Sequence, residues 1–282
     1  MPSQSVDDVG AAAAKALRVG DMELGEQLAR SALQQSESLA ARLTLAQALT
    51  WQARGREADE ILGAIDPGTL SETDLMAWAL PRAANQFWML SQPTQAIAFV
   101  QTIRNRVSAP SALATLDALA ATFATNAGTP LRALRLAEEV LTSPDADDVA
   151  VGWAASAAAL SSARAGRFGQ VDELAARALS AGHPGLLRFT SGFGRITALV
   201  MAGRLDEARA LAQRYTESAQ LKQPGHAIGE VLVCYVAVAQ GDFASAVTLY
   251  RTELLKAFLA DWGSRPSDRS PSRSRSRRAR WA

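Results

Sequence analysis

Apolar and polar positions alternate along the chain with a helical period, and the segments that carry this period come in pairs. The first segment of each pair is mostly apolar, while the second is amphipathic and opens directly after a tight turn. Apolar positions that recur every three to four residues predict helices. First helices are expected near 38–52, 71–90, 111–126, 146–164, 185–201 and 226–239. Second helices are expected near 21–34, 56–64, 93–107, 130–142, 168–180, 204–220 and 242–258.

One short phrase, Gly-Arg-Leu-Asp-Glu-Ala-Arg at 203–209, marks the start of a second helix and recurs along the chain. Its copies, some of them loose, begin at Gly20, Ala53, Ser91, Gly128, Gly166, Gly203 and Gly241. Five places after each start stands a small or aliphatic residue: Gly25, Ala58, Ala96, Ala133, Val171, Ala208 and Ala246. These residues follow one another at intervals of 33, 38, 37, 38, 37 and 38. Such a steady period over seven copies is typical of a repeat array.

Proline residues support this division, because proline lacks the N–H donor and clashes inside a helix. Five prolines fall between a second helix and the following first helix: Pro67, Pro110, Pro144, Pro184 and Pro224. Pro81 is the exception, since it falls inside the predicted 71–90 helix. We expect a kink or a split of that helix at Pro81.

The first helices share a slot, seven residues before each turn start, that holds mostly small side chains. It contains Ala46, Ala84, Ala121, Ala159, Ile196 and Cys234. A small residue in the first helix, Gly at the turn and Ala five places later resemble the tetratricopeptide (TPR) family, over about residues 15–255. The resemblance implies an all-α, TPR-like α-solenoid of about seven helix pairs, wound into a right-handed superhelix. We assign this domain to residues 1–262.

The net charge of +1 hides a division between an acidic body and a basic tail at 263–282. The tail holds seven Arg and one Asp and has no apolar period, which predicts a disordered Arg/Ser-rich segment. Clustered arginine can contact nucleic-acid phosphates. A GC-rich gene read out of frame yields the same composition, and the regular repeat stops after Tyr250. We therefore favour a frameshift product or a fragment over a nucleic-acid-binding tail.

The sequence contains no recognisable phosphate-binding loop, nucleophile elbow or metal-binding histidine motif. The two histidines, His183 and His226, adjoin Pro-Gly turns, and the single cysteine, Cys234, occupies the small-residue slot. We interpret all three as structural. The carboxylates at 145–148 are expected to favour the positive end of the helix that begins there. No catalytic residue, metal site or cofactor is predicted.

No apolar run reaches the roughly 18 residues that a membrane span needs. The start of the chain, which opens with polar and acidic residues, does not resemble a signal peptide. One cysteine excludes an internal disulfide. We therefore expect a cytoplasmic protein without a membrane anchor.

In TPR-like pairs the first helices line a concave groove. By resemblance, its side chains stand 13, 10, 6, 3 and 2 residues before the turn start, and Gln47 and Arg164 are among them. The candidate site residues on these positions are Trp51, Trp78, Asn85, Trp88, Thr122, Trp153, Phe193 and Tyr235. Tryptophan offers a large contact area with a polar handle, so we expect a ligand or partner groove centred on Trp78, Asn85 and Trp88. The alternative is that the tryptophans pack between first helices as core.

Two phrases, the one at 203–209 and Ala-Gly-Arg-Phe at 165–168, resemble the helical-repeat region of large LuxR-type transcriptional regulators similar to the maltose-operon activator. The resemblance implies a non-catalytic sensor or scaffold that binds a protein partner or a small-molecule effector. The chain has neither the NTPase phosphate loop nor a recognisable helix-turn-helix, so we expect no sequence-specific DNA binding by this chain. The alternative is a free-standing TPR-like adaptor for protein–protein interactions.

Overall fold

The structure, a computed structural model, describes residues 6–19, 21–181, 187–218, 225–249 and 251, and every regular element in them is helical. The first helices of successive pairs are α1 (Val6–Val19), α3 (Leu39–Trp51), α5 (Glu72–Ala84), α7 (Pro110–Asn126), α9 (Asp148–Arg164), α11 (Leu187–Met201) and α13 (Gly225–Ala239). The second helices are α2 (Met22–Gln35), α4 (Gly55–Gly63), α6 (Pro93–Arg104), α8 (Pro130–Thr142), α10 (Val171–Ser180), α12 (Leu205–Ser218) and the helical residues 243–249, termed α14.

The predicted helices are confirmed to within a few residues where the structure describes them, and α1 is an addition to them. This helix begins the first pair and buries Val9, Ala13 and Leu17, which lie on one face at four-residue spacing. Among the described helices, none is both long and apolar enough to cross a membrane. The predicted features at 185–186, 219–220, 252–258 and 263–282, together with Gly20 and His183, lie outside the described residues.

The recurring phrase in the sequence is a helix-ending turn. Its described starting residues all have left-handed φ angles, of 60° at Ala53, 55° at Ser91, 76° at Gly128, 75° at Gly166, 73° at Gly203 and 78° at Gly241. At α11 the amide of Arg204 donates to Leu199 O at 2.9 Å and that of Gly203 to Val200 O at 3.0 Å. These two bonds form a Schellman motif, which satisfies carbonyls at the end of the helix. Glycine recurs here because it adopts a positive φ without strain.

The third pair departs from the regular pattern at the end of its first helix. The α-helix α5 runs through Pro81 to Ala84 and gives way to a π-helical turn at Asn85–Met89. The amide of Leu90 accordingly donates to Asn85 O, five residues back, at 3.0 Å. The split expected at Pro81 therefore lies at Asn85, four residues later.

The fixed slots are buried, and small residues allow helices of neighbouring pairs to approach closely. The slot five places after the turn start is buried from Ala58 through Ala246, and Ala46, Ala121, Ala159 and Ile196 are buried in the first-helix slot. A Cβ added to Gly194 of α11 would stand 2.8 Å from the backbone of Ala159 in α9. These two helices therefore touch at the level of their backbones, as small residues permit.

Candidate ligand-binding face

Trp78 lies in the core. Its side chain is 1% exposed, its Nε1 donates to Leu62 O at 2.8 Å, and its ring meets Phe99 edge to face at 5.4 Å between centroids. The Arg82 guanidinium covers the same ring at 5.1 Å. The indole N–H and the ring are thus engaged within the chain, so the expectation that Trp78 lines an open groove is corrected.

Asn85 and Thr122 are buried as well. The Nδ2 of Asn85 donates to Gly55 O at 2.8 Å, and its Oδ1 accepts from Thr50 Oγ1 at 3.5 Å. Thr122 donates to Ala118 O in its own helix at 3.1 Å. The side chain of Asn85 joins neighbouring helix pairs, and that of Thr122 bonds within its own helix. Neither is open to a ligand, contrary to the expectation.

Trp88 and Trp153 form the outer part of an aromatic cluster that crosses three first helices. Trp88 is 37% exposed and lies 6.5 Å from Trp153 of α9 between ring centroids. Beneath it, Phe87 and Phe123 stack at 4.2 Å with an interplanar angle of 8°. The edge of Trp88 meets Phe123 at 5.4 Å. The buried pair therefore supports an accessible indole in a fixed orientation.

Phe193, Tyr235 and Arg164 form a second group, contributed by α11, α13 and α9. The Phe193 and Tyr235 rings meet edge to face at 5.0 Å, and the Arg164 guanidinium lies 5.8 Å from the Phe193 centroid. Arg164 Nη1 donates to Thr125 O at 2.7 Å. Burial lowers the pKa of Arg164, while Tyr235 opposes this shift. The group thus holds a partly desolvated cation against aromatic rings.

The position two residues before the turn start is exposed in every first helix from α3 to α13. Its larger side chains, here called the exposed row, are Trp51, Met89, Asn126, Arg164 and Met201. In a solenoid, equivalent positions of successive repeats form one continuous line. The sequence analysis did not single out Met89, Asn126 and Met201 as site residues, although they also stand two residues before a turn start.

The remaining polar candidates make contacts within the chain. Asp147 accepts from Ala150 N at 2.8 Å and caps α9, as the sequence predicts for a carboxylate there. His226 Nε2 lies 3.8 Å from Glu230 Oε1, and Cys234 Sγ donates to Ala246 O at 3.5 Å. Across the described ranges, no three His, Cys, Asp or Glu side chains are grouped to hold a metal ion.

An open cavity of about 470 Å³ lies at the last described helix pairs. Its walls come from α12, α13 and α14, with Arg209, Val233 and Asp242 among them. None of the aromatic site residues lines it. The cavity and the exposed row are therefore separate features.

The chain matches no protein-family model and no curated protein. Among solved structures, it is similar to a tetratricopeptide repeat protein from Parabacteroides merdae ATCC 43184, with a TM-score of 0.53 and 15% identity, over 89% of this chain and 93% of that one. It is also similar to a Rap protein complexed with Competence and Sporulation Factor, with a TM-score of 0.60 and 12% identity, over 92% of this chain and 78% of that one. The chain folds as a TPR-like α-solenoid. At these identities the likeness concerns the fold alone.

Proposed function

We propose that this chain is the non-catalytic sensor or scaffold region of a LuxR-type transcriptional regulator, and that it binds a protein segment or small effector along the exposed row and the adjoining indole of Trp88. The observation that carries the binding role is the row itself, which presents one accessible side chain from each of five successive first helices. Trp51 and Trp88 are each 37% exposed. Accessible tryptophan is enriched among residues that dominate binding energy.

Two further features support a binding role. Trp88 is held by the stacked rings of Phe87 and Phe123, so little side-chain freedom would be lost when a ligand covers it. A structure of similar fold was solved as a complex with a factor. The proposal therefore rests on a preformed aromatic surface in an architecture that accommodates a bound partner.

The LuxR-type context rests on the phrases at 203–209 and 165–168. It predicts an upstream reading frame for an NTPase module and a downstream frame for a helix-turn-helix. Sequencing the DNA on both sides of this coding region tests that context. A solitary gene would favour the alternative function, a free-standing TPR-like adaptor, and would leave the binding role of the exposed row in place.

The binding role is tested by selecting ligands from a displayed peptide library and from a collection of small metabolites. We expect selected ligands to lose about tenfold or more in affinity with Trp88→Ala, since loss of a central aromatic contact costs at least about 1.4 kcal/mol. The matched control is Leu131→Ala, which removes a 66% exposed side chain from the second helix α8. Equal losses in both variants, or none in either, would contradict the proposed face.

A further inference from the structure

Two arginines flank a glycine on one face of α11. Arg188, Gly192 and Arg195 follow one another at intervals of four and three residues, which places all three on the same side of a helix. At a rise of about 1.5 Å per residue, the two arginine positions lie roughly 10 Å apart along the axis. They stand 15 and 8 residues before the turn start at Gly203, outside the positions of the predicted groove. This face of α11 is therefore separate from the exposed row.

The phenol ring of Tyr215, from α12, lies on Gly192. A Cβ added to this glycine would stand 2.7 Å from the Tyr215 hydroxyl oxygen, so the hydroxyl end of the ring touches α11 at the level between the two arginines. The same ring lies 5.7 Å from the Phe189 ring between centroids. The Arg188 guanidinium covers Phe189 at 5.1 Å. The absence of a side chain at Gly192 thus lets the Tyr215 hydroxyl sit between Arg188 and Arg195.

Three cations act on this hydroxyl. Burial raises the pKa of Tyr215, whereas Arg195 lowers it through its charge and a hydrogen bond. The charges of Arg188 and Arg214 lower the pKa as well, and Arg214 adds a positive charge from α12. Groups that stabilise a phenolate also stabilise any other anion at the same point. Three guanidinium groups from two helices therefore favour negative charge beside Tyr215.

Few carboxylates oppose these cations. Arg195 Nε lies 2.8 Å from Asp172 Oδ1, but the Asp172 side chain is 84% exposed, and exposed ion pairs are weak. Neither Arg188 nor Arg214 forms an ion pair in the part of the chain that the structure describes, although Glu217 lies three residues after Arg214. The buried Nε of Arg188 has no hydrogen-bond acceptor there either. The three arginines thus retain donors for an external anion.

A phosphate group fits this arrangement. Guanidinium groups remain charged and donate paired N–H bonds to phosphate oxygens. A phosphate monoester carries nearly two negative charges and three acceptor oxygens at neutral pH, whereas a carboxylate carries one charge and two oxygens. Several converging cations therefore favour the phosphate monoester.

We propose that Arg188, Arg195 and Arg214 bind the phosphate group of a small phosphate monoester. The group lies beside the Tyr215 hydroxyl and replaces the Asp172 carboxylate as the partner of Arg195, so the ligand and this carboxylate compete. The site goes beyond the proposed function and does not depend on it, because it occupies the side of α11 that faces α12. It gives the chain a second binding surface.

The test is a calorimetric titration of the full chain with phenyl phosphate and with inorganic phosphate, at about pH 8 and constant ionic strength. We expect both to bind with dissociation constants of about 1 mM or lower. Phenyl sulfate has the same shape and a single negative charge, and it should bind at least about fivefold more weakly. Binding of inorganic phosphate without binding of phenyl phosphate would overturn the assignment to an ester.

Substitutions within the site should change the affinity in opposite directions. Arg188→Gln and Arg195→Gln should each weaken binding of phenyl phosphate about fivefold or more, because each removes a charged donor. Asp172→Asn should strengthen it about threefold, because the competing carboxylate is lost. A purely structural ion pair between Arg195 and Asp172 predicts no such gain.

Arg42→Gln is the matched control, because Arg42 pairs at 2.6 Å with Glu37, whose side chain is 86% exposed. It should leave the affinity for phenyl phosphate unchanged, as should Trp88→Ala beside the exposed row. Circular dichroism confirms that each variant is folded. Absence of phosphate binding, equal losses in Arg42→Gln and Arg195→Gln, or no gain in Asp172→Asn would overturn this inference. Each of these results would leave the proposed function of the exposed row standing.

Discussion

The side chain of Asn85 donates a 2.8 Å hydrogen bond to the backbone carbonyl of Gly55, across the boundary between the second and third helix pairs. Both residues are buried. A Cβ added to Gly55 would stand 2.6 Å from the Cβ of Met89, so the π-helical turn and the start of α4 are in direct contact. A polar residue on a groove position of the TPR pattern therefore holds two helix pairs together.

Removing this contact should destabilise the fold. Asn85→Ala leaves Gly55 O without its buried donor, and we expect a loss of about 1–3 kcal/mol in the free energy of unfolding. Urea unfolding followed by circular dichroism measures the change. The control is Asn126→Ala, because Asn126 is exposed and donates to Thr122 O in its own helix, so its effect should stay within about 0.5 kcal/mol. Equal stabilities for the two variants would show that the Asn85 bond does not join the pairs.

Replacement by alanine should destabilise the fold much more at Trp78 than at Trp88. Trp78→Ala removes a buried ring, and we expect a loss of about 3–5 kcal/mol in stability. Trp88→Ala removes a partly exposed ring with aromatic neighbours, and we expect a loss of about 1 kcal/mol in stability. Urea unfolding midpoints give the comparison. A larger loss for Trp88 than for Trp78 would place the functional indole in the core and remove it from the proposed face.

The two turns that lack glycine should gain stability from it. Ala53 and Ser91 hold φ angles of 60° and 55°, which cost an L-residue about 1–2 kcal/mol. We expect Ala53→Gly to stabilise the chain by up to about 1 kcal/mol after the extra backbone entropy of glycine is subtracted. The reverse change, Gly203→Ala, should destabilise by a similar amount because its φ is 73°. Thermal unfolding reports both, and shifts of the same sign in the two variants would refute the explanation.

A carboxylate network between the first two pairs predicts a pH dependence. Glu26 of α2 accepts hydrogen bonds from the side chains of Arg30, Gln52 and Arg54. Burial opposes ionisation of Glu26, but these bonds outweigh it and lower the pKa of the carboxyl below its ordinary 4.5. Because the folded chain takes up the proton at a lower pH than the unfolded chain, the ionised Glu26 stabilises the fold at neutral pH. This contribution is lost as the pH falls below about 4.5 through the folded pKa.

Glu26→Gln should therefore be less stable than the unaltered chain at about pH 7 and should approach it at about pH 3. Urea unfolding at the two pH values measures this convergence. Glu60→Gln, at an exposed position of α4, serves as the control for general loss of a negative charge. A difference that is the same at both pH values would argue against the network.

The positions of the helices could be predicted because they depend on neighbouring residues in the chain. The left-handed turns at Gly128, Gly166 and Gly203 follow from glycine at the end of an apolar segment. The predicted first helix at 146–164 likewise corresponds to α9 (Asp148–Arg164), which Asp147 caps. By contrast, α1 was not predicted, since the sequence analysis counted first helices back from the second and later turns.

The burial of the site residues could not be predicted in the same way. Trp78 and Trp88 stand on equivalent faces by the count from the turn, yet one is 1% and the other 37% exposed. Trp78 is buried by Leu62 and Phe99, which belong to other helices. The π-helical turn at Asn85–Met89 also changes which face the earlier positions of this helix present when they are counted back from the turn start. The face of a single helix follows from periodicity, but exposure depends on what packs against that face.

The sequence by itself determined the repeat period, the helix pairs and the turns, because each is decided by side chains and backbone angles within a few residues. The tertiary structure alone decided that Asn85 joins two pairs, that Trp88 rests on stacked phenylalanines, and that Arg164 lies on Phe193 without a carboxylate partner in the described residues. These relationships connect residues about 30 or more positions apart in most cases, and the stacking of one helix pair on the next brings them together.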